Sequence, residues 1–497
     1  MHQPESRGFD PGEKYLVRGS NPADGVQTHI FDGGSHEVQI PPKDGRTRVV
    51  MFGGSNTKLL PGEFLQLLLD QRGAPQQYEV INLGRHGYGS ARERLLFDQA
   101  TVLQPDVVFI YSGHNEFVEE QFRSTVAATK DDWTRKAIES LRQLKTVDLL
   151  ASEVKHTAKE AEPGGAAAAD TDAFAQYFTT FTPADRDRIY DAFRENLTAM
   201  CRQGREHGAR VIVGTSVRNM FYTPILSKTG LRPDGPEQVL FDKLWEQAVA
   251  RIPARFTDGV LPHIDVAVYD WGLQTGQWWE EFYKPAAAGP LAAPAFPQPS
   301  ADALATVAQL SKSWTKVPLA EGALWTPPAL WSRRTRRLLD TMSAVHEARL
   351  TPAEKESLDG AAERLGRAVK LAPEHAGAHF LLALCLSLTG GDEQRVAQLL
   401  DEAGDLDWAP IGANGRINTI IRDVAHAVDG VELLDADALF RARAPDGIID
   451  YQIIMDANHL QPGARLLLLD DLTKLLLGEA PGGDAGDARH VGRAEQR

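Results

Sequence analysis

Between Arg48 and Gly214 the chain alternates short apolar runs with longer amphipathic segments, and this alternation limits the folds open to it. The apolar runs are RVVMFGG, YEVINLG, PDVVFIYSG and ARVIVGTS, and the segments between them include EFLQLLLDQ and ARERLLFDQATVL. Short apolar strands separated by helices are typical of a parallel sheet with right-handed crossovers. The pattern predicts an α/β domain with at least four strands by residue 215. Its functional loops are expected at the carboxyl ends of the strands.

The same α/β pattern returns near the C-terminus after a helical interruption. A helix is predicted over RINTIIRDVAHAV, a strand over VELLDAD and a closing helix over RLLLLDDLTKLLL. Before them, residues 327–410 are predicted to be helical, with small residues and Leu at the spacing of tetratricopeptide repeats. A plain helical insertion is the alternative interpretation. Such helices cannot bury their apolar faces alone, so this module is expected to pack on the sheet domain or on a partner protein.

The predicted organisation has five parts. These are an arm with one small hairpin (1–46), the α/β domain in two pieces (47–326 and 411–480), the helical insertion (327–410) and a disordered tail (481–497). Two Ala-rich tracts, 160–173 and 284–302, are predicted to be connectors.

Charge limits the expected partners. The chain has 68 acidic residues against 53 Lys and Arg, and its net charge of −15 would repel a phosphate backbone, so nucleic acid is not an expected partner. Cys201 and Cys385 lie far apart in helical patterns, which argues against a disulfide framework and a thiolate metal site. No signal peptide or apolar span is recognisable, so a cytoplasmic location is expected, unless a start site placed too far downstream hides an extracytoplasmic signal.

Three predicted strands are followed by loops that carry candidate catalytic groups. Ser55 follows the first strand in FGGSNT, where two glycines allow a sharp turn that presents the hydroxyl at the strand end. The next loop, INLGRHGYGS, contains Gly87, whose bare backbone N–H is able to point into a cleft. The third loop, YSGHNEF, places Asn115 where its amide could share the charge of an oxyanion. Three strand ends are therefore predicted to converge on one cleft.

A carboxylate and an imidazole follow much later in the chain. MDANHLQPGA places Asp456 and His459 three residues apart, before the last helix. There the imidazole can act as a general base while the carboxylate holds its tautomer. An Asp-x-x-His pair alone usually lies on the solvated surface without a catalytic role. Here it follows a candidate serine nucleophile, which needs a base, an orienting group and oxyanion donors.

Together these four blocks resemble the SGNH (GDSL-like) hydrolase superfamily, whose members carry a serine block, a glycine loop, a Gly-x-Asn loop and a late Asp-x-x-His. The resemblance implies a flavodoxin-like three-layer α/β/α sandwich. It also implies Ser55 as nucleophile, His459 as base and Asp456 as its orienting partner. The oxyanion donors would be the backbone amides of Ser55 and Gly87 and the side-chain amide of Asn115.

The resemblance covers residues 46–120, 182–225 and 411–478, and extends to bacterial members with a tetratricopeptide-like insertion before the last block. Two positions depart from the pattern: Gly54 stands where the family has Asp, and Glu116 where Asp is frequent. Both positions are expected to support the loops and not to take part in catalysis, so the departures bear on the rigidity of the loops and do not exclude activity.

Other residues near these blocks have two interpretations each. His86 and His114 flank the candidate oxyanion donors and are expected to be wall residues, with His114 a candidate for lining the substrate site. Asn219, after the fourth strand, either lines the cleft as well or forms a turn.

An acidic group and an aromatic group have alternatives of the same kind. Glu116, Glu119 and Glu120 suggest a metal cluster, but without suitably spaced histidines a solvated helix start is favoured, and neither a metal nor a cofactor is expected. The aromatic cluster at 271–283 either covers an acyl pocket or packs in the core, and core packing is favoured.

Two functions of different classes follow. The first is a serine esterase that forms an acyl-enzyme on a carbohydrate, lipid or small ester, with an O-acyltransferase using the same triad as its variant. The second is a non-enzymatic scaffold that binds a protein partner through the helical module. A Ser55 hydroxyl within hydrogen-bond reach of His459 would favour the enzyme.

Overall fold

A computed structural model describes residues 15–18, 26–28, 38–73, 76–128, 180–224, 226–256, 350–410, 412–450, 453–454 and 458–481. The predicted connectors, the aromatic cluster and the tail beyond residue 481 lie outside these residues, as does Asp456.

The described strands are β1 Leu16–Arg18, β2 Val26–Thr28, β3 Val38–Ile40, β4 Thr47–Gly53, β5 Tyr78–Asn82, β6 Val107–Tyr111, β7 Arg210–Gly214 and β8 Val431–Leu434. The described helices are α1 Ser55–Lys58, α2 Gly62–Arg72, α3 Ser90–Ala100, α4 Glu116–Ala128, α5 Pro183–Glu206, α6 Pro236–Val249, α7 Pro352–Leu371, α8 Ala376–Thr389, α9 Glu393–Leu406, α10 Gly415–Ala427, α11 Ala436–Arg443 and α12 Pro462–Leu476. Short 3₁₀ turns occupy Thr101–Leu103, Ala254–Phe256 and Pro445–Gly447.

The central sheet is parallel and has the order β5-β4-β6-β7-β8. All four strands predicted before residue 215 are present, and VELLDAD forms the fifth, which confirms the α/β prediction. Every residue of β6 is buried, because parallel strands of this kind are covered on both faces. The chain leaves β4 for β5 on one side and then crosses to β6 on the other. Such a reversal opens a crevice at the carboxyl ends of the strands.

Helices cover both faces of this sheet. Met51, Phe109 and Ile212 belong to one hydrophobic cluster, which contains the apolar residues of α2 and α12. Val50 and Val108, one position along each strand, belong to a second cluster with α3, α5 and α10. This alternation follows from the two-residue period of a strand, and it makes the sheet the middle of three layers.

The arm before β4 forms a three-stranded antiparallel sheet, β1-β2-β3, and not the single hairpin expected. Its first strand is anchored to the α/β domain, since Tyr15 N–H donates to the side chain of Gln99 over 2.8 Å. Tyr15 and Ile40 join the second hydrophobic cluster. Burial against α3 therefore stabilises strands that are too short to stand alone.

The helices α7, α8 and α9 pack on one another and on the sheet domain. Leu358, Phe380 and Leu399 belong to the same hydrophobic cluster as Met51 of β4. Arg441 of α11 donates to Asp401 of α9 over 2.9 Å, and Arg218 beyond β7 pairs with the same carboxylate. Over residues 350–410 the helices thus pack on the sheet domain, which is one of the two expectations for this module, while its assignment as tetratricopeptide-like stays a prediction.

Two further expectations concern cysteine and the membrane. Cys201 and Cys385 are buried free thiols inside α5 and α8. Among the described residues, no helix has the length and apolar character needed to cross a bilayer.

Candidate functional site

Ser55 and His459 form a hydrogen-bonded pair at the carboxyl edge of the sheet. Ser55 Oγ lies 2.8 Å from His459 Nε2, although the two residues are 404 positions apart in the chain. Both side chains are only 7% exposed. A second contact supports the pair, because Leu460 N–H donates to Asn56 Oδ1 over 3.4 Å. The residue after each member of the pair therefore binds the other segment.

The turn before Ser55 depends on a missing side chain. A Cβ added to Gly54 would lie 2.2 Å from Asn115 Nδ2 and 2.8 Å from Tyr88 O. The Asn115 amide therefore occupies the space that any side chain at position 54 would need. The turn is nevertheless held in place, since Thr57 Oγ1 donates to Tyr111 O over 3.0 Å. The absence of a side chain at Gly54 thus allows the Asn115 amide to approach the serine turn closely.

The glycine loop, residues 83–89 between β5 and α3, is tied to the serine turn. Arg85 N–H donates to Gly53 O over 2.9 Å, and a Cβ on Gly84 would lie 2.2 Å from Lys58 N. Asn82 Nδ2 donates to Thr57 O over 2.7 Å, so this asparagine joins the loop to α1. Sequence reasoning gave Asn82 no such role.

Gly87 and Asn115 flank the serine from two neighbouring loops. Gly87 has φ +67°, a conformation that glycine adopts without strain, and no atom of the described residues lies within 4 Å of an added Cβ. Asn115 Nδ2 donates to Tyr88 O over 2.8 Å, which leaves its second N–H for another acceptor. The structure therefore brings Ser55, His459 and Asn115 together, with Gly87 in the adjoining loop.

Asn219 follows β7 in the chain. Its side chain is buried, and its Oδ1 accepts from Phe221 N–H over 3.0 Å. That bond favours the turn-forming interpretation.

Two further histidines lie near His459. Burial first, and then the charge of His459, lowers the pKa of His114 to about 3. His114 packs edge-on against Tyr111, with ring centroids 4.7 Å apart, and neither ring nitrogen has a hydrogen-bond partner among the residues that the structure describes. Burial, followed by the charges of Lys58 and His459, lowers the pKa of His86 to about 2. Both imidazoles are therefore neutral at ordinary pH.

The expectation of a solvated helix start at α4 is wrong for two of its glutamates. Glu116 and Glu119 are 6% and 2% exposed, because α4 packs its first turn against the start of α3. There Ser90 N–H donates to Glu116 Oε1 over 2.9 Å, and Gly89 N–H donates to Glu119 Oε1 over 3.1 Å. In the part of the chain that is described, no three His, Cys, Asp or Glu side chains are grouped to hold a metal ion.

No protein-family model matches the chain, and no curated protein matches it. Two solved structures resemble part of it. One is a GDSL-like lipase from Bacteroides thetaiotaomicron, 15% identical, with 35% of this chain and 51% of the lipase covered and a TM-score of 0.18. The other is a putative acylhydrolase from Bacteroides fragilis, 15% identical, with 42% and 66% covered and a TM-score of 0.19. Both matches span less than two thirds of the other chain, and likeness this low says nothing about activity.

Proposed function

We propose that this chain is a serine acyl hydrolase that forms an acyl-enzyme on Ser55. The observation that carries the proposal is the 2.8 Å contact between Ser55 Oγ and His459 Nε2 at the carboxyl edge of a parallel sheet. A hydroxyl in contact with an imidazole is the arrangement that activates a serine as a nucleophile.

In the first step Ser55 Oγ attacks the acyl carbonyl carbon and its proton passes to His459 Nε2. This requires the neutral ring to carry its hydrogen on Nδ1, so that Nε2 accepts from the hydroxyl. Asp456 is the proposed partner of Nδ1, since it precedes His459 by three residues. The C–O bond of the ester then breaks, and the protonated His459 returns the proton to the leaving alcohol.

The negative oxygen of the tetrahedral intermediate needs donors close to Ser55. The backbone N–H groups of Ser55 and Gly87 and the free N–H of Asn115 are the proposed donors. Support comes from the Asn115 amide, which lies against Gly54 next to the Ser55 nitrogen. Removing one donor of this kind typically lowers kcat by roughly 10²- to 10³-fold.

In the second step a nucleophile opens the acyl-enzyme. With water, His459 again acts as base and the product is a carboxylic acid, while an acceptor hydroxyl in its place would make the chain an O-acyltransferase. The proposed substrates are esters of carbohydrates, lipids or small alcohols.

The test is labelling with a fluorophosphonate probe, followed by mass mapping of the adduct. We expect wild-type protein to be labelled on Ser55 and Ser55→Ala to be unlabelled. Ser216→Ala is a matched control, because Ser216 is buried at the same edge and its hydroxyl donates to a backbone carbonyl, Ser112 O, over 2.8 Å. Absence of labelling in folded wild type would instead favour the scaffold that binds a partner through the helical module.

A further inference from the structure

Two buried carboxylates and one arginine bind the end of the glycine loop. Glu119 accepts from Gly89 N–H and Ala91 N–H, each over 3.1 Å, and from Arg92 Nε over 2.6 Å. Glu116 accepts from the backbone N–H of Ser90, the residue between Gly89 and Ala91, over 2.9 Å. These are the first N–H groups of α3, which have no partners within the helix.

The Tyr88–Gly89 peptide unit is bound at both ends. Its N–H donates to Glu119 Oε1, and its carbonyl, Tyr88 O, accepts from Asn115 Nδ2 over 2.8 Å. A peptide unit is planar and rigid, so fixing the N–H also fixes the direction of the carbonyl. The carbonyl in turn selects the orientation of the Asn115 amide. Glu119 therefore influences the orientation of the Asn115 amide through a single planar peptide unit.

Arg92 fixes the backbone of Gly87 in a similar way. Its Nη2 donates to Gly87 O, and its guanidinium carbon lies 4.3 Å above the ring of Tyr88. Gly87 has free space around it and the backbone freedom of glycine, so its orientation depends on such contacts. Arg92 is itself held by Glu119 in a buried ion pair.

We propose that Glu119, acting with Arg92, is a positioning residue that holds the Gly87 and Asn115 donors in the orientation that receives the oxyanion. The inference rests on the proposed function, because it assigns the two donors that role. Neither side chain touches the substrate. Their part is to keep the donors in place before reaction, which avoids reorganisation in the transition state.

The experiment measures phosphonylation of Ser55 by a fluorophosphonate, as a second-order rate constant and as the fraction labelled at completion. The phosphoryl oxygen of the probe takes the place of the oxyanion, so the rate constant reports on the donors. We expect Glu119→Gln to lower the rate constant about 10- to 100-fold with the labelled fraction unchanged. A merely structural role would lower the labelled fraction and leave the rate constant of the folded molecules at the wild-type value.

Glu120→Gln is the matched control on the same helix. Glu120 turns to the other side and accepts from Arg188 over 2.8 Å, away from the glycine loop. We expect this variant to label at the wild-type rate.

Arg92→Lys is the second variant, in case Glu119→Gln fails to fold. Lysine keeps the charge opposite Glu119 but loses the forked geometry that reaches Gly87 O. We expect a similar loss of rate, and in the double variant no more than the larger single loss, because residues that act as a unit are not additive. Wild-type rates in both single variants would overturn the inference alone, whereas an unlabelled wild type would overturn the proposed function as well.

Discussion

Charged side chains are buried at both edges of the central sheet, the amino edge where the strands begin and the carboxyl edge where they end. The two edges differ in how fully these side chains are hydrogen-bonded. At the amino edge, Arg48 is 2% exposed and each of its nitrogens has an acceptor. These acceptors are Glu79 Oε2 at 2.7 Å, Leu103 O at 2.9 Å and Pro41 O at 2.9 Å. At the carboxyl edge, Glu93, Glu116 and Glu119 are all buried and Arg92 pairs with Glu119, while among the described residues the imidazole of His114 has no hydrogen-bond partner.

Buried polar groups without partners are destabilising, and they persist where another requirement overrides stability. Burial and the charge of Glu116 raise the pKa of Glu93 well above its usual value, so an excess of carboxylates is tolerated beside the glycine loop. The amino edge therefore stabilises the fold, while the carboxyl edge holds loops in a defined arrangement at the expense of stability. Four substitutions test this contrast.

The largest effect is expected at Gly54. Gly54→Ala would place a Cβ 2.2 Å from Asn115 Nδ2 and displace the amide from the serine turn. We expect the rate constant of fluorophosphonate labelling to fall by about 100-fold or more.

Gly366→Ala is the control, since nothing lies within 4 Å of its added Cβ inside α7. That variant should label normally and gain up to about 1 kcal/mol in the free energy of unfolding. Wild-type labelling of Gly54→Ala would contradict the packing argument.

Arg48→Met should produce the opposite result at the amino edge. Removing the cation takes a donor from the buried Glu79 carboxylate and from Leu103 O, which typically destabilises by about 3 kcal/mol or more. We expect a large fall in the urea midpoint, with an unchanged labelling rate for the folded fraction. A change in that rate would mean that the two edges are coupled.

The free energy of unfolding should depend on pH because buried carboxylates beside the glycine loop titrate at raised pKa values. Burial, then the charge of Glu119, raises the pKa of Glu116 from 4.5 to about 8. Because this pKa is higher in the folded than in the unfolded chain, the folded state binds the extra proton between pH 4.5 and about 8. Its stabilising contribution is complete below pH 4.5 and is lost as the pH rises through about 8.

Glu116→Gln removes the titrating group and keeps an acceptor for Ser90 N–H. Urea unfolding across this range should give a smaller loss of stability with pH than in the wild type. Glu93 also has a raised pKa, so part of the dependence remains. An unaltered slope in Glu116→Gln, matching that of Glu120→Gln, would show that Glu116 stays ionised.

The smallest effect is expected at His114. His114→Leu removes two buried nitrogens that lack partners and should raise the free energy of unfolding by about 1 kcal/mol. His379 is the matched control, since its nitrogens contact Glu402 Oε2 at 2.9 Å and Pro373 O at 3.0 Å. His379→Leu should lower stability by about 1 to 3 kcal/mol. Destabilisation by both substitutions, measured by thermal unfolding, would show that His114 does have partners in solution.

The sequence predicted the elements of the sheet domain well, because strand and helix periods are local properties of the chain. The pairing of Ser55 with His459 followed from the motif order, and their contact agrees with it. Burial of Glu116 and Glu119 was missed, since charged residues at a helix start are usually solvated and only the packing of α3 on α4 reverses this. The fit of Asn115 over Gly54 is equally a property of tertiary structure.

The separation of Ser55 from His459 also has a consequence for the timing of synthesis. His459, the proposed base, leaves the ribosome 404 residues after Ser55, the proposed nucleophile, which takes roughly 20 to 80 s at about 5 to 20 residues per second. For most of that interval Ser55 and the sequences of β5 and β6 have been synthesised, while His459 has not. Under the proposed mechanism Ser55 therefore stays unactivated in the nascent chain until the segment before α12 has docked.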